Sequence, residues 1–196
     1  FPERTVFAAE RFDRDPDGGR IHQEDFAQVL GRAPHDKYDR YATSTLSAKL
    51  HALGRIVHAV CGPADFDEFL RRTVFNLLVG NSDAHLKNWS LVYPDRRTAR
   101  LSPAYDLNAT VAYGYDPELA LKLYKKASPT EVYPIDFQRI AADARADVGR
   151  ANEVVAETVA RFRVAWSTLA DDLPPQGARA RVEAHLRRLP LWTLTL

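Results

Sequence analysis

The sequence contains no methionine, a single cysteine and almost equal numbers of acidic and basic residues. Cys61 has no partner for an internal disulfide, and its apolar neighbours favour a buried thiol in a reducing compartment. The 27 Lys and Arg residues nearly balance the 26 Asp and Glu residues. The net charge therefore gives no sign that nucleic acid or an anionic membrane is a direct partner. No apolar run is long enough to cross a bilayer, and the amino terminus lacks the pattern of a secretory signal. We therefore expect a cytoplasmic protein.

The length and composition predict a folded protein. Its 196 residues are 45% hydrophobic and 10% aromatic, which is enough to form a substantial core. The chain opens at Phe1 directly on a strand-like segment at 5–9, without a methionine start. We therefore expect a domain of a longer protein.

Helical patterns dominate the first half after this strand. DPDGGR reads as a turn, and IHQEDFAQVLG reads as a short helix that Gly31 ends. Apolar residues at three-and-four spacing predict a helix over 43–61. A second, heavily apolar helix follows, with Asp65 or Asp67 as its expected cap and Gly80 at its end.

The second half combines one hairpin with further helices. WSLVY and TARLS, joined by the turn PDRR, predict a β-hairpin. A strand is expected at 119–124, and amphipathic helices are expected at about 136–148, 152–169 and 176–189. The fold class is therefore mainly α with a small β-hairpin, in one lobe.

The octet NSDAHLKN is highly polar, and it directly follows the most buried-looking helix. Phosphoryl transfer requires a carboxylate near the attacking hydroxyl, a divalent metal on the phosphates and positive charge for their oxygens. Asp83 and Asn88 have the DxxxxN spacing of protein-kinase catalytic loops. A further carboxylate, Asp106, arrives after the hairpin, where a second metal ligand is needed.

Each of these residues taken alone has a simpler explanation. Asp83 and Asp106 could form or cap turns, and Asn88 could be a turn residue. His85 alone could be a satisfied histidine, and Lys87 a solvated charge. The kinase interpretation depends on their occurring together, in the right order and with a hairpin between them.

NLLVGNSDAHLKNWSLVY followed by RLSPAYDLNAT resembles the signature of HipA-type bacterial serine/threonine protein kinases. In that family the catalytic loop reads close to GNxDxHxKN, and the second metal-binding Asp lies in a PxYD segment. ERFDR and IHQEDFAQ are similar to the family's passage from the hinge into the larger lobe, so the resemblance covers about residues 10–110. It implies the carboxy-terminal lobe of a protein-kinase-like fold.

The resemblance also implies a role for each matching residue. Asp83 would orient or deprotonate the substrate hydroxyl, and Asn88 and Asp106 would hold magnesium. His85 and Lys87 would face the phosphates of ATP. Ordinary protein kinases have a lysine two residues after the catalytic Asp, where this sequence has His85.

The nucleotide site would extend to the start of the chain, with Glu10 and Phe12 at the adenine-binding hinge and Tyr105 beside the second metal-binding Asp. A Gly-rich phosphate loop and a strand lysine are missing, so an amino-terminal lobe is expected either upstream or on a separate chain. On this interpretation all 196 residues form one lobe, with a hinge segment at 1–14, catalytic and metal-binding loops at 81–110 and a helical subdomain at 131–190.

The implied function is that of a toxin kinase that uses ATP and magnesium to phosphorylate a protein of the translation apparatus, such as an aminoacyl-tRNA synthetase. A small HipB-like DNA-binding antitoxin would be its partner, and DNA would be met only through that complex. Two alternatives stay open: a noncatalytic nucleotide- or partner-binding module, and a metal-dependent nuclease or hydrolase that uses Asp83, His85 and Asp106.

Overall fold

The computed structural model describes residues 8–38, 49–169 and 176–194. The strand predicted at 5–9 falls mostly outside the described residues, as does the first part of the helix predicted at 43–61. Within the described residues, six α-helices and three β-strands surround the segment that carries the polar octet.

The small sheet has three antiparallel strands in the order β1-β2-β3: β1 His22–Asp25, β2 Ser90–Tyr93 and β3 Arg100–Leu101. β2 and β3 form the predicted hairpin, and Leu91 lies opposite Leu101. The additional strand pairs with β2 so that His22 faces Tyr93. The prediction of a small β element is confirmed, and the sheet is one strand larger than expected.

The helix predicted over IHQEDFAQVLG is wrong in its first part. Only α1 Phe26–Val29 is helical, because Asp25 forms a capping box with Gln28 and thereby sets the helix start. The Asp25 carboxylate accepts from the Gln28 backbone N–H, and the Gln28 side chain accepts from the Asp25 N–H, both at 2.9 Å. Residues before this cap pair with β2 instead, which satisfies their backbone groups.

Two consecutive helices, α2 Leu50–Cys61 and α3 Pro63–Val79, form the centre of the core. α3 packs against α2 on one side and against α5 on another. Burying a Leu or Phe side chain contributes roughly 1.5–3 kcal/mol, and α3 buries several. Its buried apolar residues are Phe66, Phe69, Leu70, Val74, Leu77 and Leu78.

The expected cap of α3 at Asp65 or Asp67 is wrong. The helix begins at Pro63, whose fixed φ suits the first helical position, and Gly62 precedes it. The Asp65 carboxylate instead accepts from Arg100 Nε at 2.7 Å, joining α3 to β3. Asp67 accepts from Arg150 Nε at 2.8 Å, so both carboxylates connect α3 to other elements.

The strand predicted at 119–124 is also wrong. The segment has only an isolated bridge between Leu123 and Lys126, around a turn in which Tyr124 adopts a φ of 56°. Leu121 and Leu123 are buried, which accounts for the alternating pattern. The chain turns back after Leu123 and forms no continuous strand. The alternating apolar pattern at 119–124 therefore marks buried side chains and not a β-strand.

The carboxy-terminal part is helical, as predicted, in α4 Pro134–Ala144, α5 Val148–Thr168 and α6 Ala178–Leu186. Helix α4 ends before Arg145, which adopts a left-handed conformation. Asp147 then caps α5 by accepting a hydrogen bond from the Arg150 N–H at 3.0 Å. The fold is mainly α with a small antiparallel sheet.

The thiol that the sequence predicted to be buried is only partly enclosed. Cys61 is partly buried at the end of α2, and burial raises its pKa to about 11. In the described part of the chain, none of the helices combines the length and the apolar character that a bilayer crossing requires.

Candidate active site

The polar octet begins where α3 ends, at Gly80. Gly80 has a φ of 71°, a left-handed conformation that ends the helix and turns the chain into the loop. Thr110 fastens this turn from the far side of the hairpin, because its hydroxyl donates to Gly80 O and accepts from Ser82 N, both at 2.8 Å. The start of the catalytic loop is therefore tied to the segment that follows Asp106.

Asn81 is the buried anchor of the loop. Its Nδ2 donates to Asn76 Oδ1 on α3 at 2.9 Å, and its Oδ1 accepts from the Asp83 backbone N–H at 3.1 Å. Nδ2 also lies 3.4 Å from the backbone oxygen of Asp106. One amide side chain thus connects the helix, the loop that carries Asp83 and the loop that carries Asp106.

The Asp83 carboxylate faces open space, with its side chain 52% exposed. Its Oδ1 accepts a hydrogen bond from the Tyr38 hydroxyl at 2.6 Å. The other oxygen, Oδ2, lies 4.0 Å from His85 Nε2. The carboxylate is thus accessible, and its Oδ2 accepts no hydrogen bond from the described residues, so a substrate hydroxyl can reach it.

His85 is buried in the loop, with only 6% of its surface exposed. Its Nε2 lies 2.8 Å from the Lys37 ammonium, and its ring meets the edge of the Tyr38 ring. Burial, and then the Lys37 charge, lower the pKa of His85 below its usual value. The ring is therefore neutral near pH 7, with Nε2 as the acceptor of the Lys37 proton.

Asn88 and Asp106 are brought into direct contact although 18 residues separate them. The Asn88 Nδ2 donates to Asp106 Oδ2, while Asn88 Oδ1 accepts from the His85 backbone N–H at 3.1 Å. Asp106 has a φ of 54°, and its other oxygen accepts from Asn108 Nδ2 at 2.6 Å. The hairpin between the two residues therefore returns the chain to the loop that carries Asp83 and Asn88.

Four of the residues expected around ATP and its metal line one cavity of about 410 Å³. Glu10, Phe12, Tyr105 and Asp106 all border it. The rings of Phe12 and Tyr105 lie 5.6 Å apart, and the Tyr105 hydroxyl donates to Lys87 O at 2.7 Å. Burial raises the pKa of Tyr105 to about 12, so it is a neutral wall of the cavity.

The two residues expected at the phosphates, His85 and Lys87, do not occupy equivalent positions. Lys87 is exposed and borders a second, strongly polar cavity of about 550 Å³ that shares Tyr105 with the first. His85 is instead enclosed, with its Nε2 facing Lys37. The contact of either residue with phosphate stays a prediction.

The side chains of Asn88 and Asp106 fit a magnesium ion in their chemistry. Magnesium prefers oxygen ligands and usually takes one or two carboxylates, completing its shell with water and substrate phosphates. Asp106 offers a carboxylate, and Asn88 Oδ1 keeps a second lone pair after accepting from His85. Within the ranges described, no three His, Cys, Asp or Glu side chains converge as a metal site. Such a pair would hold metal mainly together with a bound phosphate.

Four contributors to the site were missed from the sequence: Lys37, Tyr38, Asn81 and Thr110. Asn81 and Thr110 lie inside motifs that the sequence presents, and their polarity beside a buried helix was the available signal. Lys37 and Tyr38 lie 48 and 45 residues before their partners, in a segment that gave no signal.

Comparison with known proteins places the chain. A sequence model described as "HipA-like C-terminal domain" matches residues 1–166. The chain belongs to this family. It is 42% identical over 190 residues to "Putative kinase Y4dM" of Sinorhizobium fredii, covering 95% of this chain and 44% of that protein. It is 29% identical over 147 residues to "Serine/threonine-protein kinase toxin HipA" of Shewanella oneidensis, covering 68% of this chain and 34% of the toxin.

The HipA-like fold is also found in a solved structure. A chain of the complex of HipA, HipB and operator DNA from Shewanella oneidensis superposes with a TM-score of 0.65 at 22% identity, covering 93% of this chain and 46% of that chain. The protein is therefore a HipA-like C-terminal domain by family, and it has the corresponding fold. It spans less than half the length of the curated relatives it matches.

Proposed function

We propose that the complete protein is a serine/threonine protein kinase of the HipA toxin type that transfers the γ-phosphate of ATP to a protein hydroxyl. The observation that carries this proposal is the contact between Asn88 and Asp106 beside the exposed carboxylate of Asp83. In the proposal these are the base and the two metal-binding positions of a kinase, and the metal-binding pair, 18 residues apart in sequence, is in direct contact in the fold. The names of the relatives support the same class.

In the proposed reaction, Asp83 receives the substrate. One of its oxygens accepts the hydrogen bond of the incoming hydroxyl and takes the proton as the oxygen–phosphorus bond forms. The bond from the γ-phosphorus to the β-bridging oxygen breaks, and ADP leaves. Asn81 holds the Asp83 backbone by accepting from its N–H, so the carboxylate is oriented before the substrate arrives.

Asn88 and Asp106 would hold magnesium, which supplies positive charge to the phosphate oxygens during transfer. Asn88 is fixed for this task by the His85 backbone N–H, and Asp106 by the side chain of Asn108. The adenine end of ATP would occupy the cavity bordered by Glu10 and Phe12. An amino-terminal lobe would complete the phosphate site.

The nuclease or hydrolase alternative receives less support from the geometry. It requires His85 as a metal ligand or base, yet His85 is enclosed and its Nε2 already faces the Lys37 ammonium. A noncatalytic module would keep the nucleotide cavity but would not require an exposed Asp83. The kinase proposal assigns a role to each of Asp83, Asn88 and Asp106.

The partners follow from the proposed class. The solved neighbour is a complex of HipA with HipB and operator DNA, which supports a HipB-like antitoxin as the partner and DNA contact through that complex. A protein of the translation apparatus, such as an aminoacyl-tRNA synthetase, would be the substrate in the cytoplasm.

The proposed magnesium site is tested by calorimetric titration of the complete protein with ATP, with and without magnesium. We expect weak magnesium binding alone and much tighter joint binding with ATP, because phosphate oxygens complete the metal shell. Asp106→Asn should remove most of this coupling, and Asn88→Ala should weaken it less. Asp116→Asn, at an exposed carboxylate on another loop, is the matched control. Full coupling in Asp106→Asn would contradict the proposed site.

A further inference from the structure

A second segment of the chain is fastened onto the catalytic loop. Lys37 and Tyr38 follow a short 3-10 helix, Pro34–Asp36. The Leu86 backbone N–H donates to Lys37 O at 3.1 Å, and the Tyr38 hydroxyl donates to Asp83 at 2.6 Å. Backbone and side chain therefore both fix this segment against the loop.

Lys37 places a positive charge beside the catalytic carboxylate. Its Nζ lies 2.8 Å from His85 Nε2, and that same nitrogen lies 4.0 Å from Asp83 Oδ2. The separation between the ammonium and the carboxylate cannot exceed the sum of these two distances. A substrate hydroxyl that is hydrogen-bonded to Asp83 would therefore attack a phosphate group that lies close to Lys37.

The Lys37 ammonium keeps donors for a ligand. It has three N–H groups, of which the bond to His85 Nε2 uses one. It also lies 5.0 Å from the centre of the Tyr38 ring, a contact that leaves the hydrogen-bond donors available. Over the part of the chain that the structure describes, no carboxylate forms an ion pair with Lys37. Its charge is therefore not neutralised there.

The position of this charge agrees with the sequence. Ordinary protein kinases have a lysine two residues after the catalytic Asp, and His85 stands at that position here. Phosphate oxygens that become more negative during transfer require positive charge from the site. The structure brings an ammonium to the outer nitrogen of that same imidazole from a different segment.

We propose that Lys37 is a further catalytic residue, which contacts the γ-phosphate and supplies positive charge to its oxygens. This assignment rests on the proposed kinase function. His85 would then act as a positioning residue, whose Nε2 accepts one Lys37 proton and directs the two remaining N–H groups toward the phosphate.

The test compares Lys37→Ala, Lys37→Gln and Lys37→Arg in the complete protein. The first measurement is single-turnover phosphate transfer from ATP. The second is the affinity for ADP and for a nonhydrolysable ATP analogue, each with magnesium. His35→Ala, in the short helix that precedes Lys37 and 81% exposed at its side chain, is the matched control and should behave as wild type. Thermal melting shows whether each variant is folded.

We expect Lys37→Ala to lower the transfer rate about 100-fold, which is the typical loss when one charge-stabilising donor is removed. Lys37→Gln should lose as much, because it keeps a donor for His85 but not the charge. Lys37→Arg should retain a substantial part of the rate. The affinity for the ATP analogue should fall in Lys37→Ala while that for ADP stays unchanged, because only the analogue carries a γ-phosphate.

Two results would overturn the assignment of Lys37 alone. Near-wild-type transfer by Lys37→Gln would show that the residue only positions His85, and equal losses for ADP and the analogue would place its contact away from the γ-phosphate. A wild-type protein that binds ATP and magnesium without any transfer would instead contradict the proposed function, and the Lys37 assignment would fail with it.

Discussion

Gly80 provides a sharp test of how the catalytic loop is positioned. A Cβ added at Gly80 would lie 2.5 and 2.7 Å from the two methyl groups of Val111, and 3.1 Å from His185 Cδ2. Val111 is buried, and its N–H donates to Gly80 O at 3.2 Å, so it cannot move away freely. The left-handed backbone costs a non-glycine residue about 1–2 kcal/mol, and overpacking costs about 1–3 kcal/mol. Gly80→Ala should therefore destabilise the chain by roughly 2–5 kcal/mol.

Gly114 is a matched control for this substitution. It ends the short 3-10 helix Thr110–Tyr113 with a φ of 84°, and a Cβ there meets nothing within 4 Å. Gly114→Ala should therefore lower the free energy of unfolding only by the cost of the left-handed backbone, about 1–2 kcal/mol. In a domain of this size, 1 kcal/mol lowers the melting temperature by about 2–4 °C. Calorimetric melting of the 196-residue chain measures both variants.

The double substitution Gly80→Ala with Val111→Ala isolates the steric contribution. Val111→Ala removes both methyl groups that the new Cβ meets. The loss of folding free energy caused by Val111→Ala should therefore be smaller in the Gly80→Ala protein than in wild type, by about 1 kcal/mol or more. Equal melting losses for Gly80→Ala and Gly114→Ala, with additive effects in the double variant, would refute the close approach of Gly80 and Val111.

Three further predictions concern the anchor, the cavity wall and the isolated chain. Asn81→Ala leaves Asn76 Oδ1 and the Asp83 N–H without their partner, so it should cost about 2–4 kcal/mol in chemical denaturation; a loss below about 0.5 kcal/mol would contradict the anchor role. The raised pKa of Tyr105 means that the folded state keeps its proton longer than the unfolded state, so wild-type stability should fall between pH 10 and 12 more steeply than that of Tyr105→Phe. Parallel stability curves for the two proteins over that range would contradict the burial of this phenol. On the proposed function, the 196-residue chain alone should melt cooperatively but turn over little ATP, because a kinase binds ATP between two lobes. Robust turnover by this chain would refute the requirement for a second lobe.

The sequence predicted the parts of the site that depend on local pattern. The apolar spacing of α3 and the helix end at Gly80 place the polar octet after a buried helix, and both are confirmed. The family resemblance implied that Asn88 and Asp106 share a metal, and the hairpin between them brings the two side chains into contact.

The sequence could not predict contacts between distant polar segments. β1 is a short polar run whose strand conformation depends on pairing with β2, more than 60 residues later. The Lys37 and Tyr38 side chains resemble solvated loop residues until the fold brings them to His85 and Asp83. Their role depends on tertiary contact, and local propensity carries no information about it.

The most direct test of the kinase assignment is transfer of labelled γ-phosphate by the complete protein, compared between wild type and Asp83→Asn. The Asp83 side chain is exposed on a loop, so its substitution should leave the melting temperature nearly unchanged while removing the proton acceptor. We predict that wild type labels itself or a protein substrate, that Asp116→Asn does the same, and that Asp83→Asn loses transfer by at least about 100-fold. Undiminished labelling by a folded Asp83→Asn protein would contradict the account.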